Sequence, residues 1–325
     1  MPTIPTAFHP AWALVTVDIL EYIENARTAG DAANVDRGLK WYLCAPQLFL
    51  RRCAKAGKRG HNVLNARFTA WREGRRDDLV LWWRSERGAA LQRRSQPPPH
   101  SSAEDQRAYA VSRALVYIAD GEISRGMRML ESSGIAPLTP SVLAQLRSKH
   151  PPRTSPMPAT LPGVFPRVEV ELGDAIRRLR PHRSPGPSGR RNEYIRPYVS
   201  TFDDLRTDTV LAKYEQFATA AVNGELPAWF YELWATSLLV PLVKGAIPAP
   251  GADPDVRPIA IGETDLALIT GQLYRQAAPA AAAHLAPQQV AVGISGGLSI
   301  LIHGARLLLE HKPEFVVVKI DLRNA

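Results

Sequence analysis

VVVKIDLRNA, Val316 to Ala325, carries an apolar segment, crossed by Lys319, to a lone carboxylate, Asp321. The apolar run Phe315–Val318, with β-branched Ile320 beyond, predicts a buried strand over Phe315–Asp321. A carboxylate at the end of such a strand is placed to meet a hard cation. Mg²⁺ takes carboxylate and backbone oxygens and completes its shell with phosphate oxygens, and the amides that follow would form a small anion-binding nest. The alternative is an aspartate that caps the next turn, and Asp321 alone does not choose between them.

Upstream, WATSLLVPLVKG (Trp234 to Gly245) is a β-rich run ending on Lys244, and VRPIAI (Val256 to Ile261) is a second short strand. The Gly- and Pro-rich loop between them predicts a β-hairpin that presents Lys244 and Arg257. Two cations facing a triphosphate would neutralise charge that grows during phosphoryl transfer, arginine adding bidentate geometry and lysine a point charge. Taken singly, each is equally a solvated surface cation. SPGPSG, Ser184 to Gly189, is a glycine turn in which Gly186 and Gly189 permit close approach to a phosphate backbone, with Arg190 following. It has no GK[ST] ending, so a nucleotide P-loop is not supported. VGISGG, Val292 to Gly297, feeds a helix N-terminus, which also favours anions. VEVE (Val168 to Glu171) reads as a strand; Gly173 to Pro181, Asp203 to Gly224, Gly262 to Ala283 and Gly296 to His311 read as helices.

The N-terminal part is helical in pattern and basic. The net charge is +9, and residues 51–100 supply it, with 13 Lys/Arg against 4 Asp/Glu. Such a local excess points to a polyanion, nucleic acid first, or to a solvated basic face. RRCAKAGKRG, Arg51 to Gly60, reads as a basic loop in which Arg51, Arg52, Lys55, Lys58 and Arg59 are the candidate contacts. Arg67, Trp71, Arg72, Arg75 and Arg76 follow at helical spacing, suiting either a nucleic-acid face or, for the tryptophan, the core. Proline-rich connectors at Ser95–Ser102 and His150–Gly163 bracket two or three helices, the last capped by Thr139 or Ser141. Two cysteines make no disulfide framework, and no Cys/His group has zinc spacing. No run reaches 18 apolar residues and no secretory signal opens the chain, so the expectation is a soluble intracellular protein with no membrane partner.

The order SPGPSG, LLVPLVKG, VRPIAIGETDLALITGQLYR, QQVAVGISGGLSILIHGARLLLE and FVVVKIDLRNA resembles the fingers and first palm strand of reverse transcriptases, most closely those of non-LTR (LINE-type) retrotransposons. That family shows a Gly-Pro-Asp-Gly turn, a strand ending in lysine, an Arg-Pro-Ile strand leading to a helix, a Gly-Val segment before a second helix, and a strand ending Lys-x-Asp-x-x-Asn-Ala-Phe. The likeness spans about residue 165 to the end, and more loosely the helices from Glu104. Ser188 stands where the family has aspartate, and Ser295 and Gly296 replace proline-glycine.

The resemblance implies an α+β chain: a helical N-terminal region followed by the fingers and first palm strand of a right-hand polymerase. Its domains would be 1–95 basic and helical, 96–103 linker, 104–150 connector helices, 151–163 linker, and 164–325 fingers with the start of the palm. It makes Asp321 the first metal-binding and catalytic aspartate, with two Mg²⁺ ions in the complete enzyme. Lys244 and Arg257 would lie over the incoming deoxynucleoside triphosphate, and the amides of Asn324 and Ala325 beneath it. RNA template and DNA primer would be the partners, in a nuclear or cytoplasmic ribonucleoprotein. The chain is then expected to be a fragment ending within the first palm motif and inactive alone, since one carboxylate holds two dications poorly. An RNA-dependent RNA polymerase fragment, a nucleic-acid-binding module without catalysis, and a helical scaffold remain as alternatives.

Overall fold

The structure, a computed structural model, describes residues 3–51, 58–95, 103–132, 134–150, 166–201, 205–245, 253–290 and 292–318; the side chains of 58–59, 87–95, 103–106 and 205 are outside that description. Helix makes up 65% of it, beside one two-stranded antiparallel sheet. The α+β class therefore holds, with helix dominant.

Helix α1 (His9–Thr28) is the axis of the core. Trp12, Val15, Thr16, Ile19, Leu20 and Ile23 are buried at steps of three and four, so one stripe of the helix faces inward along its length. Gly30, at φ 70°, reverses the chain, and the Asp31 carboxylate accepts from the Asn34 amide at 3.0 Å. That cap starts α2 (Ala32–Phe49). Helices α3 (Lys58–Arg72) and α4 (Arg76–Ser95) close the first group. The chain then forms α5 (Ala103–Ala119), α6 (Ile123–Glu131) and α7 (Pro140–Lys149). Of the two caps the sequence leaves open, Thr139 is the one used for α7, accepting from Val142 N at 3.2 Å.

Past the second proline-rich connector come α8 (Gly173–Arg177), α9 (Asn192–Ile195), a 3-10 turn (Arg196–Val199), α10 (Leu205–Asp208), α11 (Val210–Val222) and α12 (Ala228–Trp234). Strands β1 (Leu238–Val243) and β2 (Val256–Ile261) follow, then α13 (Thr264–Leu285) and α14 (Gly297–His311). Helices from both sides of the connector share one core. Trp12, Tyr42, Phe49, Phe68 and Trp71 pack in the same cluster as Ile176, Tyr198, Tyr214, Phe217, Phe230 and Ile269. A second, small cluster joins Ala136, Val142 and Leu146 to Val256, seating α7 against the hairpin. Trp71 is therefore core, its Nε1 donating to Asp18 at 2.7 Å.

Two predicted strands are corrected. Val168–Glu171 is extended but, among the described residues, has no strand beside it. Side chains of α11 and its cap do the pairing: Asn223 Oδ1 accepts from Val168 N (2.9 Å), Thr219 Oγ1 from Val170 N (3.0 Å), and Glu215 Oε1 from Leu172 N (2.6 Å). Positions 215, 219 and 223 line up four apart on one helix face, so the helix serves as the ladder. Phe315–Val318 forms no strand and is exposed, Val316 at 83%. Among the described residues no strand flanks it, and an extended segment without a neighbour has nothing to pair with.

Candidate functional site

The predicted hairpin forms. β1 and β2 pair antiparallel, Leu242 opposite Arg257 and Val243 opposite Val256. The Lys244 amide donates to Asp255 O at 2.8 Å, which extends the ladder one step. Because side chains alternate, Leu242, Lys244 and Arg257 share one face, with Lys244 and Arg257 as diagonal neighbours. The opposite face carries Val243 and Val256 into the small cluster with α7. Both cations are exposed. Lys244 Nζ stands 3.8 Å from Asp255, whose other oxygen is held more closely by Lys149 at 2.5 Å. The hydrogen bond from Lys149 keeps the Asp255 carboxyl below its usual range, against slight desolvation. Among the described residues Arg257 has no ion-pair partner.

The hairpin feeds α13, and the start of α13 is clasped by the glycine turn. Ser188 donates twice to Glu263, from its amide to Oε1 (2.6 Å) and from Oγ to Oε2 (2.7 Å). Gly186 lies so close that a Cβ there would stand 2.6 Å from Gly262 O and 2.8 Å from the Glu263 backbone. Gly189 takes φ 80°, closing the turn onto Gly186 O at 3.0 Å. The aspartate that the resemblance expects at 188 would set two carboxylates in contact; serine supplies donors to Glu263 instead.

Below the clasp lies a buried charge pair. Arg190 and Asp265 are 1% and 2% exposed, with Arg190 Nε 3.0 Å from Asp265 Oδ2. That approach lacks hydrogen-bond alignment; the guanidinium's hydrogen bonds run from Nη2 to Tyr42 O (2.9 Å) and from Nη1 to Tyr198 Oη (3.3 Å). Asp265 accepts from the hydroxyls of Tyr42 (2.7 Å) and Tyr214 (2.8 Å). Burial opposes the charge on Arg190, and Asp265 together with the surrounding Tyr42, Tyr198 and Tyr214 outweighs it, so the guanidinium holds its proton more tightly than usual. Desolvation pushes the hydroxyls of Tyr42 and Tyr214 well above the ordinary phenol range, keeping them neutral donors. The network ties α2, α11, α13 and, through the Thr16 hydroxyl 3.1 Å from that of Tyr198, α1 to the glycine turn.

Several predicted contacts are therefore corrected. Arg190 does not face a phosphate backbone, because its guanidinium is enclosed by the pair with Asp265. Gly186 is buried and packs against backbone, so its lack of a side chain serves the clasp with α13. Gly189 is half-buried in the same turn, and Gln47 Nε2 donates to the neighbouring Ser188 O at 3.2 Å. Arg51 is engaged by Glu86 (2.5 Å) and by the carbonyls of Gln47 and Leu48. Arg67, 1% exposed, donates to Phe49 O at 2.9 Å and pairs with the same glutamate. Desolvation raises the Glu86 carboxyl, but Arg51 and Arg67 together hold it below its usual range. Arg75 pairs with Glu73 and Asp78, and Arg76 stacks over Trp71. Lys58 and Arg59 open α3 with side chains undescribed; Arg52, Lys55, Asp321, Asn324 and Ala325 lie outside the described residues.

Asp265, Glu263 and Ser188 were not legible as partners, since 75 or more residues separate Arg190 and Ser188 from the segment that meets them. Among the described residues no three His, Cys, Asp or Glu side chains converge as metal ligands. No helix among them is long and apolar enough to cross a membrane. No family model matches the chain, and neither a curated protein nor a solved structure does.

Proposed function

We propose that residues 164–325 of this chain are the fingers and first palm strand of an RNA-templated DNA polymerase whose hairpin holds the triphosphate of an incoming deoxynucleotide between Lys244 and Arg257. The observation that carries the reading is the register of β1 and β2. It sets two exposed cations diagonally on one face, and a buried charge network fixes the helix that follows. Among the described residues only one of the two cations has a carboxylate within reach, at 3.8 Å, so their charge is available to an anion. Cations held there would stabilise negative charge spreading over the phosphate oxygens. Two Mg²⁺ ions at Asp321, RNA template, DNA primer and residence in a ribonucleoprotein belong to the same proposal.

Photolabelling tests it. With 5-azido-dUTP and Mg²⁺, the label should map to residues 238–261 and be competed by dTTP. Lys244→Ala or Arg257→Ala should each lower labelling roughly tenfold or more, the loss of one charged hydrogen bond of about 1.5–3 kcal/mol. Labelling spread elsewhere, or unchanged in both variants, refutes the reading.

A further inference from the structure

Helices α5 and α6 form an antiparallel hairpin around the turn Asp120–Glu122, where Gly121 takes φ 78°. They pack closely: a Cβ on Gly126 would stand 2.7 Å from Ile118 Cγ1 and 3.0 Å from Ala114 O. Ala114, Tyr117 and Gly126 are buried, yet neither Ala114 nor Tyr117 joins the main core cluster. The hairpin therefore stands on the body of the fold without sharing its core.

It meets that body from one side. Arg125 donates to Pro181 O at 3.2 Å, Asp120 meets His182 at 2.6 Å, and the Tyr117 ring sits edge-on to the same imidazole, centroids 5.5 Å apart. The other side carries two apolar rows, Val111, Leu115 and Ile118 on α5 and Ile123, Met127 and Leu130 on α6, each spaced i, i+4, i+7. At about 100° per residue, both rows lie about 40–100° round their helices from Ala114 and Gly126, the residues turned to the neighbouring helix. Equal rotations in antiparallel helices bring the two rows to one face. These six side chains are 39–63% exposed. Tyr109 and Val116, also exposed, lie on the far side of α5 and outside that face.

A helical hairpin with one apolar row on each helix is half of a four-helix bundle. The other half needs two antiparallel helices bearing the same rows, and a second copy supplies them by two-fold symmetry. The face offers on the order of 500 Å² of apolar surface, which matches the apolar share of a dimer interface of about 800 Å² per partner. The apolar side of α14 belongs to a lone helix and has no such self-complementary shape.

We infer that this chain forms a two-fold dimer through the face of α5 and α6, closing a four-helix bundle between the copies. The inference is independent of the polymerase reading.

Sedimentation equilibrium of the full 325-residue chain over a micromolar series tests it. The parent should approach twice the chain mass of 35.7 kDa. Leu115→Glu/Met127→Glu puts a charge on each row at an exposed position, so it should leave the circular dichroism spectrum unchanged and weaken association about a hundredfold or more. Leu301→Glu on α14 should leave the dimer intact. If glutamate disturbs the fold, Leu115→Gln/Met127→Gln should still raise the dissociation constant about tenfold. A monomeric parent, an assembly larger than two, or a dimer untouched by the double variants overturns the inference. So does a dimer lost in Leu301→Glu, which would put the contact on α14. A monomeric parent that the double variants destabilise also overturns it, marking a face covered by another segment of the same chain.

Discussion

Replacing Asp265 by asparagine keeps the shape of the side chain and removes its charge. Arg190 then remains at 1% exposure with a guanidinium that has no compensating anion, and the hydroxyls of Tyr42 and Tyr214 compete for one remaining acceptor oxygen. Breaking a buried pair in this way costs about 3–5 kcal/mol. A natural domain has roughly 5–15 kcal/mol in total, so the variant should lose a large part of its stability. Urea unfolding followed by tryptophan fluorescence reads this directly, since the Trp12 ring lies 5.9 Å from the Arg190 guanidinium. Removing both charges, as Arg190→Met with Asp265→Leu, should cost far less than the two single changes together, because neither charge is then stranded. A loss under about 1 kcal/mol for Asp265→Asn, or simple additivity in the double variant, would refute the account of this network.

Two further outcomes follow from the clasp. Burial raises the Glu263 carboxyl against the pull of its Ser188 hydrogen bonds, so the folded chain binds that proton more tightly than the unfolded one. Its contribution is present below the ordinary carboxyl range and is lost as pH rises through the raised folded value. Thermal melts should therefore show Glu263→Gln gaining on the parent as pH rises above the ordinary carboxyl range, and a constant difference would contradict this. Gly186→Ala places a methyl 2.6 Å from Gly262 O; backbone on both sides cannot rotate away, so urea unfolding should show a loss of about 1–3 kcal/mol.

How much was legible depended on how local the cause was. The hairpin from Leu238 to Ile261, the Thr139 cap and helices α13 and α14 were readable because their signals (alternation, a capping side chain, a helical stripe) lie within one element. The strands expected at 168–171 and 315–321 (described to 318) were not, because pairing needs a neighbour that local pattern does not supply. The cations at Arg51, Arg67 and Arg190 were read as outward facing since a basic residue in sequence carries no mark of its partner. Glu86 lies 35 residues from Arg51, and Asp265 75 from Arg190.

Periodicity and turn chemistry alone determined the longer helices, the hairpin and the cations it presents, while the α+β class was what the resemblance implied. Tertiary structure decided which charges are buried and which remain outside. It enclosed Arg190 with Asp265 and three tyrosines while leaving Arg178, Arg180, Arg183 and Arg196 at the surface. The reason is that a charge can leave water only where a counter-charge and hydrogen bonds from distant segments meet it, and only the folded chain brings those segments together.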